Sequence, residues 1–224
     1  MSALLVTGTD TGVGKTFVAC ALAQALRARG RTVAVMKPVE TGVVSVPEDA
    51  ARLREAAADP ASLDDVCPYQ LRTPVAPSVA ARVEGVAIDL ARLEALIRRR
   101  RTAADVLLVE GAGGLLVPIA DGVTYADLAA RLGLPLLVVG ANRLGTVNHC
   151  ALTARVADWM GLAVLGFVLS QPSPEPDVSA VTNVATIRSL TGLACLGELP
   201  HLPDPALAAR YLNLLAMLLD SPRP

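Results

Sequence analysis

The chain has 224 residues, of which 53% are hydrophobic and only 3% aromatic. Its length suits one domain with a core of Ala, Val and Leu, and this composition excludes disorder. A formal net charge of −1 provides no broad basic surface, so we expect no nucleic-acid partner. The sequence has no apolar run of the roughly 20 residues that span a membrane and no signal-peptide pattern at its start. We therefore expect a cytoplasmic protein that does not bind a membrane.

Short Val- and Leu-rich runs alternate with longer periodic segments, which is typical of βα units and a parallel sheet. The runs predict strands near 3–7, 32–37, 105–109, 134–139 and 163–169. The periodic segments predict helices near 15–29, 48–58, 89–101, 123–132, 146–160, 179–191 and 205–219. The pattern indicates an α/β protein with helices on both faces of the sheet.

Residues 8–16, directly after the first predicted strand, read GTDTGVGKT. The usual phosphate-binding loop is G-x-x-x-x-G-K-[ST], in which backbone N–H groups surround phosphates while Lys and the hydroxyl reach phosphate and Mg²⁺. Here Gly8 stands one residue too early and Thr9 occupies its expected position, so a chance Gly/Thr turn is the alternative. The strand–turn–helix context favours the phosphate site, because a helix N-terminus attracts anions. We therefore predict a single P-loop NTPase-like domain over 1–224, with a mostly parallel sheet.

Charged residues stand at the ends of two other predicted strands. Lys37 ends the second strand and is followed by Pro38, which holds an extended exit. Glu110 ends the third strand, before a Gly-rich turn. Ligands of open α/β sheets bind beyond the carboxyl ends of the strands, so both side chains are expected there, although Lys37 has the alternative of an ordinary solvated lysine. We expect Lys37 to be exposed and Lys37→Ala to keep the fold.

Oxygen ligands for Mg²⁺ are available near the loop. Magnesium prefers a few carboxylates together with phosphate oxygens and water, which makes Thr16, Asp49 and Glu110 candidate ligands. Asp49 has the alternative role of a helix-start acid that the helix dipole favours.

Several other segments are polar or charged. The segment 141–150, ANRLGTVNHC, opens a helix whose start could cap itself or bind a carboxylate. The proline-rich loop 170–177 follows a strand and is expected to border the site. The RRRR run at 98–101 is expected to be a solvated helix cap, and the four widely spaced cysteines are expected to be reduced and buried. The sequence shows no nucleophile–base–acid set, so covalent hydrolysis is not supported.

Five motifs, GTDTGVGKT, KPVETG, VEGAGG, LGTVNH and LGELP, follow one another between residues 8 and 200. With them the chain resembles the dethiobiotin synthetase family. The resemblance implies a homodimeric ligase of biotin biosynthesis that uses ATP and Mg²⁺ to close the ureido ring of dethiobiotin from 7,8-diaminopelargonic acid and CO₂ or bicarbonate. It implies a carbamate of the diamine, phosphoryl transfer to that carbamate, and attack of the second amine on the carbamic–phosphoric anhydride, with release of ADP and phosphate.

The same resemblance assigns residues to roles. The implied catalytic residues are Lys37, Lys15 and Thr11, and the implied metal ligands are Thr16, Asp49 and Glu110. The implied nucleotide-binding residues are Gly12, Val13, Gly14, Lys15, Thr16, Phe17, Asp49, Glu110, Gly111, Ala112, Gly113, Ser170, Gln171, Pro200, His201 and Leu202. The implied substrate-binding residues are Thr41 and, for the substrate carboxylate across the dimer, Gly145, Thr146 and Asn148. Many family members carry Asn-Asp where this chain has Ser170 and Gln171, so we predict a relaxed preference among nucleoside triphosphates.

Two other classes share a related loop. ParA-like and MinD-like partitioning ATPases carry a signature Lys five residues before the invariant Lys, whereas this chain has Asp10 there, and its Leu- and Ala-rich C-terminal segment resembles a packed helix more than a membrane-binding one. Enzymes that amidate cobyric or cobyrinic acid need a further glutaminase domain with a catalytic Cys and His, for which this chain is too short. The partitioning ATPase stays as the alternative function.

Overall fold

The computed structural model describes residues 3–212 together with Leu215 and Leu219. In chain order its strands are β1 (Ala3–Gly8), β2 (Val33–Met36), β3 (Val39–Thr41), β4 (Tyr69–Leu71), β5 (Val106–Gly114), β6 (Pro118–Ala120), β7 (Val123–Thr124), β8 (Leu136–Ala141), β9 (Val164–Ser170) and β10 (Cys195–Leu199).

The α-helices are α1 (Lys15–Ala28), α2 (Glu48–Ala57), α3 (Leu63–Val66), α4 (Pro77–Glu84), α5 (Leu90–Thr102), α6 (Tyr125–Leu132), α7 (Thr146–Trp159), α8 (Ala180–Thr191) and α9 (Pro205–Ala208), and a 3₁₀ helix follows over Ala209–Leu212. The predicted helix over 205–219 thus begins where expected and tightens after one turn, and most of its remainder lies outside the described residues. Across the ranges that the structure describes, no helix is long and apolar enough to cross a membrane.

The central sheet has six strands in the order β10-β9-β8-β1-β5-β2, and neighbouring strands run parallel. The five predicted strands all belong to it, and β10 is an addition that the sequence pattern did not reveal. Two small two-stranded sheets, β3–β4 and β6–β7, were not predicted either. The strand β3 of the first small sheet follows β2 after two residues.

Helices cover both faces of the sheet, as predicted. Alternate residues of a strand point to opposite faces, and in β1 Leu4 and Val6 pack in the cluster that holds α1 and α2. Ala3 and Leu5 pack in the cluster that holds α5 and α6. The helices α7 and α8 contribute to a third cluster on β8 and β9. The sheet is therefore buried on both sides, and its strand ends are left to carry the polar groups.

The prediction of a solvated arginine run was wrong for Arg100. The residue is only 6% exposed, and its side chain forms an ion pair with Asp59 and donates to the carbonyl oxygen of Val35 at 3.0 Å. Asp59 in turn accepts from the backbone N–H of Val35 at 2.8 Å. The pair therefore ties α5 to β2 and to the end of α2. Of the cysteines, Cys20, Cys67 and Cys150 are free and buried, and Cys195 is half-buried.

Candidate active site

A cavity of about 680 Å³ lies beyond the ends of β1, β2 and β5. Twelve residues singled out from the sequence line it: Thr11, Gly12, Gly14, Lys15, Thr16, Phe17, Lys37, Thr41, Asp49, Glu110, Ala112 and Gly113. This is the edge of a parallel sheet at which ligands bind. Residues from three of the five motifs, together with Asp49, therefore meet at one place.

The early glycine of the loop is required by packing. A Cβ on Gly8 would lie 2.8 Å from the carbonyl oxygen of Asp10 and 2.9 Å from Nζ of Lys15. Lys15 folds back over this position, because its Nζ donates to the same carbonyl at 2.9 Å. Gly14, the residue before α1, has a φ of 93°, a left-handed conformation that glycine adopts readily. Gly8 thus makes room for the lysine, and Gly14 turns the chain into the helix.

Lys15 is nearly buried, with 7% of its surface exposed. Burial lowers the pKa of its ammonium group to about 8, and the nearby positive charge of Lys37 acts in the same direction against the attraction of Glu110. A cation that is poorly solvated and held by one carbonyl gains from an anionic ligand. The loop is therefore prepared for phosphate.

Lys37 is also buried, which contradicts the prediction of an exposed strand-end lysine. It is 4% exposed, and its Nζ donates to Oε1 of Glu110 at 2.5 Å and to Oδ2 of Asp49 at 2.9 Å. Its backbone N–H donates to the carbonyl of Val66 at 2.8 Å, which directs the residue inward. Burial alone would lower the pKa of Lys37, but the charges of Glu110 and Asp49 outweigh it and raise that pKa. Lys37 is therefore a fixed positive charge.

The candidate metal ligands lie together. Thr16 Oγ1 donates to Oε1 of Glu110 at 2.8 Å, and Lys37 joins Glu110 to Asp49. Burial would raise the pKa of Asp49, but the adjacent Lys37 charge outweighs it and lowers that pKa. Oε2 of Glu110 is buried and has no hydrogen-bond partner within the described part of the chain. This set of hydroxyl and carboxylate oxygens fits Mg²⁺ bound jointly with phosphate.

Sequence reasoning missed Glu40, which lines the cavity and is 8% exposed. Its two carboxylate oxygens accept the backbone N–H groups of Asp49 at 3.1 Å and of Ala50 at 3.0 Å. Burial raises the pKa of Glu40, and the two N–H groups offset part of that rise. A three-residue strand is too short for alternation to reveal which of its residues face inward.

One wall of the cavity is apolar and was also missed. It is formed by Pro74, Val75, Ala76 and Pro77 at the start of α4 and by Val117 after β5. Gly42 lies beside this wall in a left-handed conformation with a φ of 78°, which glycine adopts readily. The cavity thus combines charged groups on one side with hydrocarbon on the other.

The residues predicted to contact the base lie beside the cavity lining. Ser170 is buried against Gly14, where a Cβ would lie 2.6 Å from the Ser170 hydroxyl. The side-chain amide of Gln171 donates to the carbonyls of Ser173 and Pro174 at 3.0 Å, and its backbone N–H donates to the carbonyl of Leu199 at 2.9 Å. That last bond joins the loop after β9 to the end of β10, directly before Pro200, His201 and Leu202.

A second cavity, of about 560 Å³, adjoins the first. The two cavities share Thr16, Phe17 and Arg52, and Pro203, Asp204 and Pro205 form another part of the lining of the second cavity.

The remaining residues predicted to bind nucleotide have packing positions: Val13 is buried, and Gly111 lies against the ring of the buried Tyr125.

The predicted carboxylate-binding residues at the start of α7 lie outside the lining of either cavity. Gly145, with a φ of 94°, precedes the helix, and Gly145 and Asn148 are exposed. Thr146 is 3% exposed, and its hydroxyl oxygen lies 3.8 Å from Sγ of Cys150, so its side chain points into the protein. This helix start therefore offers its backbone and the Asn148 side chain to the outside, but not the Thr146 hydroxyl.

The parallel sheet and the phosphate loop define a P-loop NTPase-like α/β protein. A family model described as an AAA domain matches residues 2–207. The ATP-dependent dethiobiotin synthetase of Anaeromyxobacter dehalogenans is 51% identical over 214 residues, which cover 95% of this chain and 96% of the relative. That of Aromatoleum aromaticum is 43% identical and covers 95% and 97%. The chain belongs to the dethiobiotin synthetase family.

Solved structures show the same fold at lower identity. A chain of the MinC:MinD cell division protein complex of Aquifex aeolicus matches with a TM-score of 0.64 at 13% identity, and the match covers 100% of this chain and 98% of that chain. The cell division ATPase MinD of Pyrococcus furiosus gives 0.57 at 21% identity and covers 97% and 98%. The MinD structures therefore show the fold of this chain, and the synthetase sequences show the family to which it belongs.

Proposed function

We propose that this protein is an ATP-dependent dethiobiotin synthetase, which joins 7,8-diaminopelargonic acid and CO₂ into the ureido ring of dethiobiotin at the expense of ATP. The observation that carries the proposal is the position of Lys37, held between Glu110 and Asp49 beside the loop lysine Lys15, on a cavity with an apolar wall. The high identity to synthetases over nearly the full chain supports it.

The chemistry needs positioning and charge neutralisation. The amine of the substrate adds to CO₂ to form a carbamate, whose oxygen accepts the γ-phosphoryl group as the bond to ADP breaks. The second amine then attacks the carbamate carbon, the bond to phosphate breaks, the ring closes and the amine proton is lost. Phosphoryl transfer gains most from fixed cations around the developing charge. Lys15 and Lys37 supply those cations, and Thr11 contacts the reacting group.

Magnesium fits Thr16, Asp49 and Glu110, and it would supply further neutralisation of the phosphate charges. The fit rests on Oε2 of Glu110, which has no hydrogen-bond partner among the described residues, and on the cluster of hard oxygen ligands, because Mg²⁺ binds through one or two carboxylates together with phosphate. In this proposal Lys37 remains the cation that faces the carbamate.

The diamino acid has a hydrocarbon chain between its reacting end and its carboxylate. The wall formed by Pro74–Pro77 and Val117 suits that chain, and Thr41 offers a hydroxyl beside it. We propose that the carboxylate binds at Gly145, Thr146 and Asn148 of a second copy of the chain, in a homodimer. Two exposed apolar side chains, Leu116 and Leu152, line one surface cleft, which supports a protein partner there.

We propose that the nucleotide base is held by Ser170 and Gln171 and by the loop Pro200–Leu202. The Gln171 side chain donates to its own loop, which supports base contacts made mainly by backbone groups. Such contacts discriminate weakly between bases, so we predict turnover with CTP or GTP as well as ATP. Strict dependence on ATP would contradict this part of the proposal.

The deciding experiment measures ADP release from Mg-ATP with and without 7,8-diaminopelargonic acid and bicarbonate, with the product identified by mass spectrometry. Release that needs both co-substrates and yields dethiobiotin supports the proposal. ADP release that is the same with and without the two co-substrates favours a partitioning-type ATPase.

The molar mass in solution, measured by light scattering, tests the proposed homodimer separately, with Leu152→Glu as the variant expected to dissociate the dimer.

A further inference from the structure

The start of α2 is held by a side chain from a different element. Glu40 lies on β3, and its two carboxylate oxygens accept the N–H groups of Asp49 and Ala50, one each. The first four N–H groups of a helix have no partner within the helix. Pro47, the residue before α2, has no side-chain acceptor to offer them. Glu40 therefore performs from a distance the role that a Ser or Asp cap performs locally.

The residue that Glu40 holds is also the one that contacts Lys37. Asp49 donates its backbone N–H to Glu40 at 3.1 Å and accepts from Nζ of Lys37 through Oδ2 at 2.9 Å. Glu40 and Lys37 belong to one short motif, KPVETG. One stretch of chain thus fixes both the backbone and the carboxylate of Asp49.

The chain offers a matched comparison on the same helix turn. Glu48 also carries a negative charge in the first turn of α2, but its side chain is 79% exposed and pairs with Arg52 at 3.4 Å. Its removal changes the charge by the same amount as removal of Glu40. It leaves the two N–H groups of Asp49 and Ala50 with their acceptor.

We propose that Glu40 is a positioning residue that fixes the start of α2 and so orients the Asp49 carboxylate for a divalent cation. This inference rests on the proposed function, in which Asp49 helps to hold Mg²⁺. Residues that orient metal ligands typically change metal affinity by about 10–100-fold when they are replaced. Glu40→Ala should therefore weaken Mg²⁺-dependent nucleotide binding by about tenfold or more and leave metal-free nucleotide binding unchanged.

The experiment is calorimetric titration with a non-hydrolysable ATP analogue, in Mg²⁺ and in EDTA. It compares the parent with Glu40→Ala, Glu48→Ala, Asp49→Asn and the double variant Glu40→Ala/Asp49→Asn. We expect Glu48→Ala to bind like the parent in both conditions. We expect the double variant to bind Mg²⁺-nucleotide no more weakly than Asp49→Asn alone, because Glu40 acts through Asp49. Circular dichroism establishes that each variant is folded.

The outcomes separate the two proposals. If Asp49→Asn binds Mg²⁺-nucleotide like the parent, the metal assignment in the proposed function is wrong. If Asp49→Asn weakens binding and Glu40→Ala does not, the inference about Glu40 is overturned. It is also overturned if Glu40→Ala weakens binding equally in EDTA, or if the two substitutions have additive effects. Should Glu40→Ala not fold, Glu40→Gln, which keeps one acceptor oxygen, carries the same comparison.

Discussion

Replacing Lys37 by Met, which keeps most of the side-chain volume and removes the charge, should destabilise the fold. Lys37 is 4% exposed, and of its two carboxylate partners the Glu110 side chain is 1% exposed and the Asp49 side chain 39%. Removing one member of a buried ion pair costs about 3–5 kcal/mol, because the other charge stays buried without compensation. Glu110 keeps the hydrogen bond from Thr16, so we expect a loss near 3 kcal/mol.

For a domain of this size, 1 kcal/mol corresponds to a shift of about 2–4 °C in the melting temperature, so Lys37→Met should melt about 6–12 °C below the parent. Urea unfolding at pH 7 without nucleotide, followed by far-ultraviolet circular dichroism, measures the free energy directly. Fluorescence is a poor probe, because Trp159, the single tryptophan, is 85% exposed.

Two further variants test the cause of the loss. Lys15→Met removes a lysine that is equally buried but is held by the carbonyl of Asp10, and it should leave the stability unchanged or raise it. The double variant Lys37→Met/Glu110→Gln should recover more than half of the loss, since the stranded carboxylate is gone. Stability of Lys37→Met within about 1 kcal/mol of the parent would refute the reasoning.

Three other predictions concern single features of the structure. Gly8→Ala should destabilise the fold by about 1–3 kcal/mol and weaken ADP binding in calorimetry, because its Cβ would meet backbone oxygens and Lys15; parent-like behaviour would contradict the packing role. Because the pKa of Lys15 is about 8 and phosphate favours its charged form, binding of Mg-ADP at pH 8 should take up about half a proton, with almost none at pH 6.5. Titration in buffers of different ionisation enthalpy measures this uptake, and proton release at pH 8 would show the sign to be wrong. Asp59→Ala leaves the buried Arg100 without its carboxylate partner and should lower the free energy of unfolding in urea by about 3–5 kcal/mol. Asp65→Ala removes the partner of the exposed Arg99 and should lower it by about 1 kcal/mol or less. Equal losses of stability in the two variants would contradict the argument.

The central sheet was largely predictable because its strands contain continuous apolar runs, buried on both faces, such as ALLV and VLLV. The strand β10 was missed because Cys195–Leu199 contains a glycine and a glutamate and lies at the edge of the sheet. The small sheet β3–β4 has strands of three residues each. Such strands depend on tertiary contacts more than on a local pattern.

Within the candidate site, the residue types and their meeting point could be predicted, since parallel strands end at one edge of the sheet. The burial of Lys37 could not, because it depends on α2 supplying Asp49 from another part of the chain. Glu40 was missed for the same reason: its partners are backbone N–H groups, which no residue pattern displays. The Pro74–Pro77 part of the apolar wall follows β4 and belongs to a region that had no predicted element.

The apolar wall and the charged groups belong to different parts of the architecture. Lys37 directly follows β2, Glu110 lies within β5 and Lys15 is the first residue of α1, whereas Pro74–Ala76 precede α4 and Pro77 is its first residue. Under the proposed function, substitutions in Pro74–Pro77 would change the length or width of the hydrocarbon that the cavity accepts and leave the phosphate-binding residues unchanged. The proposed function thus assigns selection of the acceptor and its activation to different segments of the chain, so that one could change without the other.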